Sequence, residues 1–265
     1  GNTSDAEGWS TLQDNQDLDL SLYRNSTIVD LGDPATEVDV LNAGVYEYVY
    51  ETTGGENYTS GSSAVRTLTV LRSGCDVDLW LNSGQKDNDE VITYGTTANA
   101  TAKIDVEQTP DWYLYRNSST VDSGPTTTTL QELADLAAGY YEYEGYWEGN
   151  ENYTSCNQIS YLTVGKASPD VDITFDPSSE VTYQTETTTN CNIIRGDSTA
   201  NLTLTRNGTT VSEGTGDQSS TSTLDPGVYE YECTYHESEN YSEASTIDYL
   251  TVEEVPSVVD LVIEH

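Results

Sequence analysis

The chain has 265 residues, 35% of them hydrophobic and 21% charged, a composition that suits a folded protein of two or three small domains. Its 46 acidic and 9 basic residues give a formal net charge of −37, and the only lysines are Lys86, Lys103 and Lys166. That balance excludes nucleic acid as a partner, because phosphate binding needs clustered cations. No apolar run approaches the roughly 18 residues of a membrane span.

Taken in chain order, the opening segment from Gly1 to Asn15 lacks the basic and apolar regions of a signal peptide, so any such peptide is expected to have been removed or to lie outside this sequence. From Leu18 the chain alternates apolar and polar residues, as in Leu18-Asp19-Leu20-Ser21-Leu22, the period of a half-buried strand. Leu22-Tyr23-Arg24-Asn25-Ser26 follows, then Ala43-Gly44-Val45-Tyr46-Glu47-Tyr48, then Glu56-Asn57-Tyr58-Thr59, and the unit closes on Leu68-Thr69-Val70.

The same signposts return twice. The second unit has Leu114-Tyr115-Arg116-Asn117, Ala138-Gly139-Tyr140-Tyr141-Glu142-Tyr143, Glu151-Asn152-Tyr153-Thr154 and Leu162-Thr163-Val164. The third has Leu204-Thr205-Arg206-Asn207, Pro226-Gly227-Val228-Tyr229-Glu230-Tyr231, Glu239-Asn240-Tyr241-Ser242 and Leu250-Thr251-Val252. The period is about 90 residues, which marks a tandem array. Short period-2 strands punctuated by Gly, Asn and Ser predict an all-β sandwich in each unit. Only Thr129 to Ala138 shows a pattern that suits a turn or two of helix.

The motifs Val91-Ile92-Thr93-Tyr94-Gly95-Thr96 and Val181-Thr182-Tyr183, with the L-x-x-G-x-Y-x-Y run from Leu224 to Tyr231 and the Asn-Tyr after it, resemble the Ig-like repeat domains of bacterial and archaeal surface proteins. The resemblance covers nearly the whole chain. It implies three tandem immunoglobulin-like sandwiches, over residues 1–70, 71–165 and 166–253, followed by a tail at 254–265. In this fold Cys191 and Cys233 are placed like the inter-sheet pair of Ig domains, and Cys75 and Cys156 could staple two edges of the middle unit. Cross-links within a repeat suit an oxidising exterior; buried free thiols are the alternative.

The ends are out of step with the repeats. Units two and three open with Val77-Asp78-Leu79-Trp80-Leu81 and Val171-Asp172-Ile173-Thr174-Phe175, each seven residues after the preceding closing Val (70 to 77, 164 to 171). Seven residues after Val252 comes Val259-Asp260-Leu261-Val262-Ile263, another first strand in register. The first unit lacks that strand: its Arg-Asn motif sits 24 residues into the chain, whereas Val77 to Asn117 spans 40. The expectation is a first sandwich open at one edge and a donor strand carrying Val259, Leu261 and Ile263 on one face. Such a contact joins the front of one copy to the back of another, so it propagates into a filament. The arrangement resembles donor-strand-complemented archaeal surface threads and pili. Two alternatives stand beside it. The chain could be an excerpt of a longer stalk, adhesin or S-layer protein, or the opening segment around Trp9 and Leu12 could close the gap, supplying at least the second strand.

The acidic residues are spread along the whole chain, and no stretch follows the EF-hand loop pattern, so a surface adapted to high salt is favoured over Ca²⁺ sites. The densest cluster, Asp87-Asn88-Asp89-Glu90, reads as a solvated loop. No cofactor is expected, and the scattered cysteines do not suggest zinc. Nine sequons, at Asn2, Asn25, Asn57, Asn99, Asn117, Asn152, Asn201, Asn207 and Asn240, predict N-linked glycans, and six of them fall at two repeated positions. An enzyme is not expected, since the only histidines, His236 and His265, lack triad neighbours. Contacts with cell surfaces or glycans through Trp9, Trp80, Trp112 or Trp147 are a further expectation, although Trp80 and Trp112 lie within predicted strands.

Overall fold

A computed structural model describes residues 3–11, 17–82 and 84–262. The described residues form strands and turns, and no helix occurs among them. Residues 1–80, 101–131 and 143–159 make one compact unit, and residues 81–100, 132–142 and 160–265 make a second.

The third sandwich shows the complete plan. Its strands are β16 (Asp170–Asp176), β17 (Glu180–Thr182), β18 (Glu186–Arg195), β19 (Asn201–Arg206), β20 (Thr209–Thr215), β21 (Gln218–Thr223), β22 (Gly227–Tyr235) and β23 (Ala244–Glu253). They form a three-stranded sheet, β16-β18-β21, and a five-stranded sheet, β17-β23-β22-β19-β20. One chain segment thus supplies an edge to both sheets. Its first half pairs antiparallel with β18 (Ile173 opposite Cys191), and its second half pairs parallel with β23 (Val181 opposite Val252). The core between the sheets holds Ile173, Val181, Leu202, Leu204, Tyr231, Tyr235 and Leu250, all buried.

The middle sandwich repeats this order. It comprises β8 (Val77–Leu81), β9 (Glu90–Thr93), β10 (Ala98–Ile104), β11 (Trp112–Arg116), β12 (Ser119–Gly124), β13 (Leu130–Ala134), β14 (Gly139–Trp147) and β15 (Cys156–Gly165). Its sheets run β13-β10-β8 and β12-β11-β14-β15-β9. The segment expected to be helical is therefore strand β13. Leu130 and its alternate residues turn inward there, and sheet pairing outweighs a weak helical preference.

The first sandwich has β1 (Thr3–Gly8), β2 (Leu20–Arg24), β3 (Thr27–Leu31), β4 (Ala35–Val40), β5 (Gly44–Thr52), β6 (Gly61–Ser62) and β7 (Arg66–Val70). Its larger sheet runs β3-β2-β5, with β6 and β7 both on β5, and its smaller sheet is the pair β1-β4.

Two repeated motifs have direct structural causes. The Arg-Asn motif ends the hairpin between the two strands it joins. Asn25 and Ser26 have φ of 48° and 67°, Asn117 and Ser118 47° and 63°, Asn207 and Gly208 49° and 74°. Positive φ at both central residues defines the type I′ turn that matches strand twist, and Asn tolerates it. Asn25 and Asn207 also accept a backbone N–H from Glu47 and Glu230 through Oδ1, at 2.8 and 2.9 Å. The G-x-Y motif is a tyrosine corner. The hydroxyls of Tyr46, Tyr141 and Tyr229 each donate to the carbonyl four residues back, at 2.8, 2.9 and 2.8 Å.

Candidate strand-acceptor groove

The smaller sheet of the first sandwich ends at β1, where the sister sandwiches have one strand more. Strand β1 pairs with β4 from Thr3 opposite Val40 to Gly8 opposite Ala35, so it fills the second position of the sheet, that of β10 and β18. The opening segment therefore supplies the second strand, and the first position, that of β8 and β16, holds no described strand. The larger sheet is also short of an edge. No described strand pairs with the outer side of β7, where β15 and β23 carry β9 and β17.

The gap exposes core. Leu68 is only half-buried, whereas Leu162 and Leu250 at the same repeat position are 0% exposed. Val70 is likewise half-buried, against 2% for Val164 and 5% for Val252. A groove of about 290 Å³ runs between β1 and β7, lined by Ala6, Leu22, Tyr48, Tyr50 and Leu68, with Asp5, Glu7 and Arg66 at its rim. A separate hollow of about 670 Å³ lies at the junction with the middle sandwich, lined by Thr3, Ser4, Val70 and Leu71 together with Gln108, Asn152 and Tyr153.

A polar cluster adjoins this groove through Tyr48. Arg24 bridges Glu37 at 2.8 Å and Asp39 at 3.1 Å, and Tyr48 donates its hydroxyl to Glu37 at 2.8 Å. The hydrogen bond from Arg24, with a second from the Val40 N–H, holds the Asp39 carboxyl below the usual carboxylate range. Burial raises the Tyr48 phenol, and its bond to Glu37 adds to that. Tyr50 closes one end, bonded to the Gly32 carbonyl. Burial, then the charges of Asp33 and Asp30, push its phenol up to about 12.

The tail has the opposite character. Its described residues after Glu253 form no strand, and Val258, Val259, Leu261 and Val262 are 94, 90, 82 and 75% exposed. Ile263, the third residue of the expected donor face, lies outside the described residues, as do Asn2 and His265. In the sister sandwiches the matching face is inside: Val77, Leu79 and Leu81 are buried, Ile173 is buried, and Val171 and Phe175 pack against the core.

Two disulfides join Cys75 to Cys156 and Cys191 to Cys233, both within a repeat. Of the sequons, Asn25, Asn57, Asn117, Asn201 and Asn207 are exposed, and Asn99, Asn152 and Asn240 are half-buried. Their regular recurrence has a cause apart from glycans. Asn25, Asn117 and Asn207 take the positive-φ turn position, while Asn152 and Asn240 bond across a junction to the backbone of the preceding sandwich. Trp112 and Trp147 are fully buried, which removes them as sugar platforms; Trp80 lies 5.5 Å from the Lys103 ammonium, and Trp9 is exposed. Asp89 accepts the Tyr161 N–H at 2.8 Å, and among the described residues no group of three or more His, Cys, Asp or Glu could hold a metal ion. His236 contacts Thr203 at 2.8 Å through Nε2.

No protein-family profile matches the chain, and no curated protein sequence matches it. Among solved structures it is similar to the fibronectin(III)-like modules of Clostridium thermocellum CbhA, at 13% identity over 66% of this chain and 94% of that one, with a TM-score of 0.29. It is similar to Sidekick-1 immunoglobulin domains 1–4 at 15% identity, over 95% and 72%, with a TM-score of 0.30. For the N-terminal four Ig domains of Dscam1 isoform 6.9 the values are 14%, 89%, 66% and 0.31.

Proposed function

We propose that this tandem Ig-like protein is the structural subunit of an extracellular filament, polymerising head to tail by donation of residues 255–265 to the first sandwich of a second copy. The observation that carries the reading is the pairing of an open first-strand position in one sandwich with an unpaired apolar tail of the matching sequence pattern. The repeat offset sets the register. With Tyr46 against Tyr229 (229 − 46 = 183), Ala35 and Glu37 fall at Gln218 and Ser220, so Gly8, opposite Ala35, takes the position of Cys191, and Ala6, opposite Glu37, that of Thr189. Since Ile173 faces Cys191 and Phe175 faces Thr189, Leu261 would face Gly8 and Ile263 would face Ala6. Burying each of these side chains contributes about 1.5–3 kcal/mol.

Two intra-repeat disulfides favour an oxidising, extracellular setting. The charge of −37 favours concentrated salt, as around a halophilic archaeon, where cations screen self-repulsion. N-linked glycans fit exposed sequons such as Asn25 and Asn207, whose Oδ1 takes the Glu47 and Glu230 N–H. Intact mass, and sedimentation on lowering the salt, test these two properties. No enzyme activity, metal or cofactor enters the reading.

Negative-stain microscopy in molar salt of the full chain beside a chain ending at Glu254 tests the proposal. Filaments from the full chain alone are expected. Filaments from both would place the joint elsewhere. Separate particles from both would favour the second reading, a segment of a longer Ig-like stalk or adhesin in which the strand comes from a neighbouring module.

A further inference from the structure

Both internal junctions are fastened by one device built on the Glu-Asn-Tyr loop. The linker residue Ser73 donates its N–H to the Asn152 carbonyl at 2.8 Å and accepts the Thr154 N–H at 2.9 Å. Ala167 does the same with Asn240 and Ser242, at 2.9 and 3.0 Å. Each contact is a parallel bridge of a single residue, Ser73 to Tyr153 and Ala167 to Tyr241. The Asn side chain adds a third bond, since Oδ1 of Asn152 accepts the Ala43 N–H at 2.8 Å and Oδ1 of Asn240 accepts the Ala138 N–H at 2.9 Å. The loop thus grips both the linker and the preceding sandwich.

The first sandwich carries the same loop in the same shape. Its internal turn bond, Gly55 N–H to Tyr58 carbonyl at 2.9 Å, matches Asn150 to Tyr153 at 3.1 Å and Ser238 to Tyr241 at 3.0 Å. No described linker crosses it, and Asn57 and Thr59 are exposed. The tail holds the residue that would. Ser73 and Ala167 each lie three residues after a closing Val and four before an opening one (70, 73, 77; 164, 167, 171), and Val255 has the same offsets from Val252 and Val259. Val255 is 55% exposed. The proline after it favours the extended backbone a bridge requires. The bridge draws on the N–H and carbonyl of one residue only, so the missing N–H of Pro256 removes nothing.

We infer that the Glu56–Thr59 loop is a docking clamp for Val255 of a second copy, with the Val255 N–H on the Asn57 carbonyl and the Thr59 N–H on the Val255 carbonyl. The inference rests on the proposed strand donation and adds a second, separate anchor to it. The clamp between copies is weaker than those within one. Pro226 stands where Ala43 and Ala138 offer an N–H, so the third bond has no donor. The Asn57 side chain is turned instead to Asp17, at 3.2 Å from Nδ2. The joint between copies therefore opens before the joints within them.

Hydrogen exchange of the full chain, assembled and then diluted to dissociate it, tests this. Assembly is expected to slow the Thr59 and Val255 amides together with those of β1. Slowing in β1 without Thr59 would overturn the clamp and leave strand donation standing, whereas slowing in neither would overturn both. Val255→Pro in the full chain removes one clamp donor and leaves the donor face intact. It is expected to weaken assembly about 3- to 10-fold while β1 stays protected in whatever assembles. Unchanged assembly would sink the clamp.

Discussion

The first and third sandwiches are built on the same repeat and differ in what closes them. The third has eleven buried core residues, a disulfide across its sheets and a segment, β16 and β17, that seals both edges. Among the described residues of the first, the packed buried cluster is Leu22, Ala35 and Tyr48, with Ala6, Val29, Tyr46, Tyr50 and Leu68 partly exposed around it, and Leu20 is buried outside that cluster. Turns, tyrosine corner and hairpins are the same in both. An Ig-like sandwich therefore sets its topology through its middle strands and its turns, while an edge segment completes the core. That division of labour is what would let the edge come from a second copy, as proposed.

Core truncation should separate the two most widely. Leu250→Ala empties a fully buried site and is expected to cost the third sandwich about 2–5 kcal/mol. Leu68→Ala at the matching position removes a side chain that already faces the groove, so about 1 kcal/mol or less is expected in dilute, unassembled protein. Denaturant melts of both variants check this. Assembly should widen the Leu68→Ala effect toward that of Leu250→Ala, because a donated strand buries it. Equal costs in dilute protein would mean that the first core is already closed.

The disulfide offers a way to make the first sandwich resemble the third. Cys191 and Cys233 are 42 residues apart, and Gly8 and Tyr50 have the same separation (50 − 8 = 42). A Cβ on Gly8 would come 2.6 Å from the Tyr50 ring, so the ring occupies the place of the bridge. Gly8→Cys alone should clash, while Gly8→Cys with Tyr50→Cys should cross-link and stabilise the first sandwich by about 2–4 kcal/mol. Thiol titration and oxidised-against-reduced melts read the result. Two free thiols would show that the repeats do not superpose in this way.

Much of this was legible in the sequence; what was hidden either gives too short a signal or depends on a partner distant in sequence. Period-2 strands and the three-fold repeat follow from local patterns, and Ile173, Leu79 and Leu81 lie inward as alternation requires. The absent second edge on β7 was not legible, because β17 is only Glu180–Thr182 and gives too short a signal. Strand β1, Thr-Ser-Asp-Ala-Glu-Gly, has few residues that favour strands; β4 imposes its conformation. The Glu-Asn-Tyr clamp read as a sequon, since its meaning lies in a partner more than 100 residues away in sequence, Asn152 against Ala43 and Asn240 against Ala138. Local pattern reports strands and turns; it is silent on contacts made between repeats.

Tyr50 gives the finest probe of the difference, since no other sandwich has a phenol at this place: Gly145 and Cys233 stand there instead. Burial, aided by Asp33 and Asp30, raises its pKa to about 12, above the ordinary value of 10.0. A raised folded pKa means that the fold favours the protonated phenol. The associated stability is fully present below pH 10 and is lost as the pH climbs through 12. The tyrosinate absorbance of the native chain minus that of Tyr50→Phe should rise with a midpoint near pH 12, against a background from the other tyrosines. A midpoint near 10 would mean that the ring is open to solvent and does not cap the groove. In assembled protein a strand seated beside Gly8 covers the ring further, so the midpoint moves upward, and a midpoint unmoved by assembly would place the donated strand away from Gly8 and Tyr50.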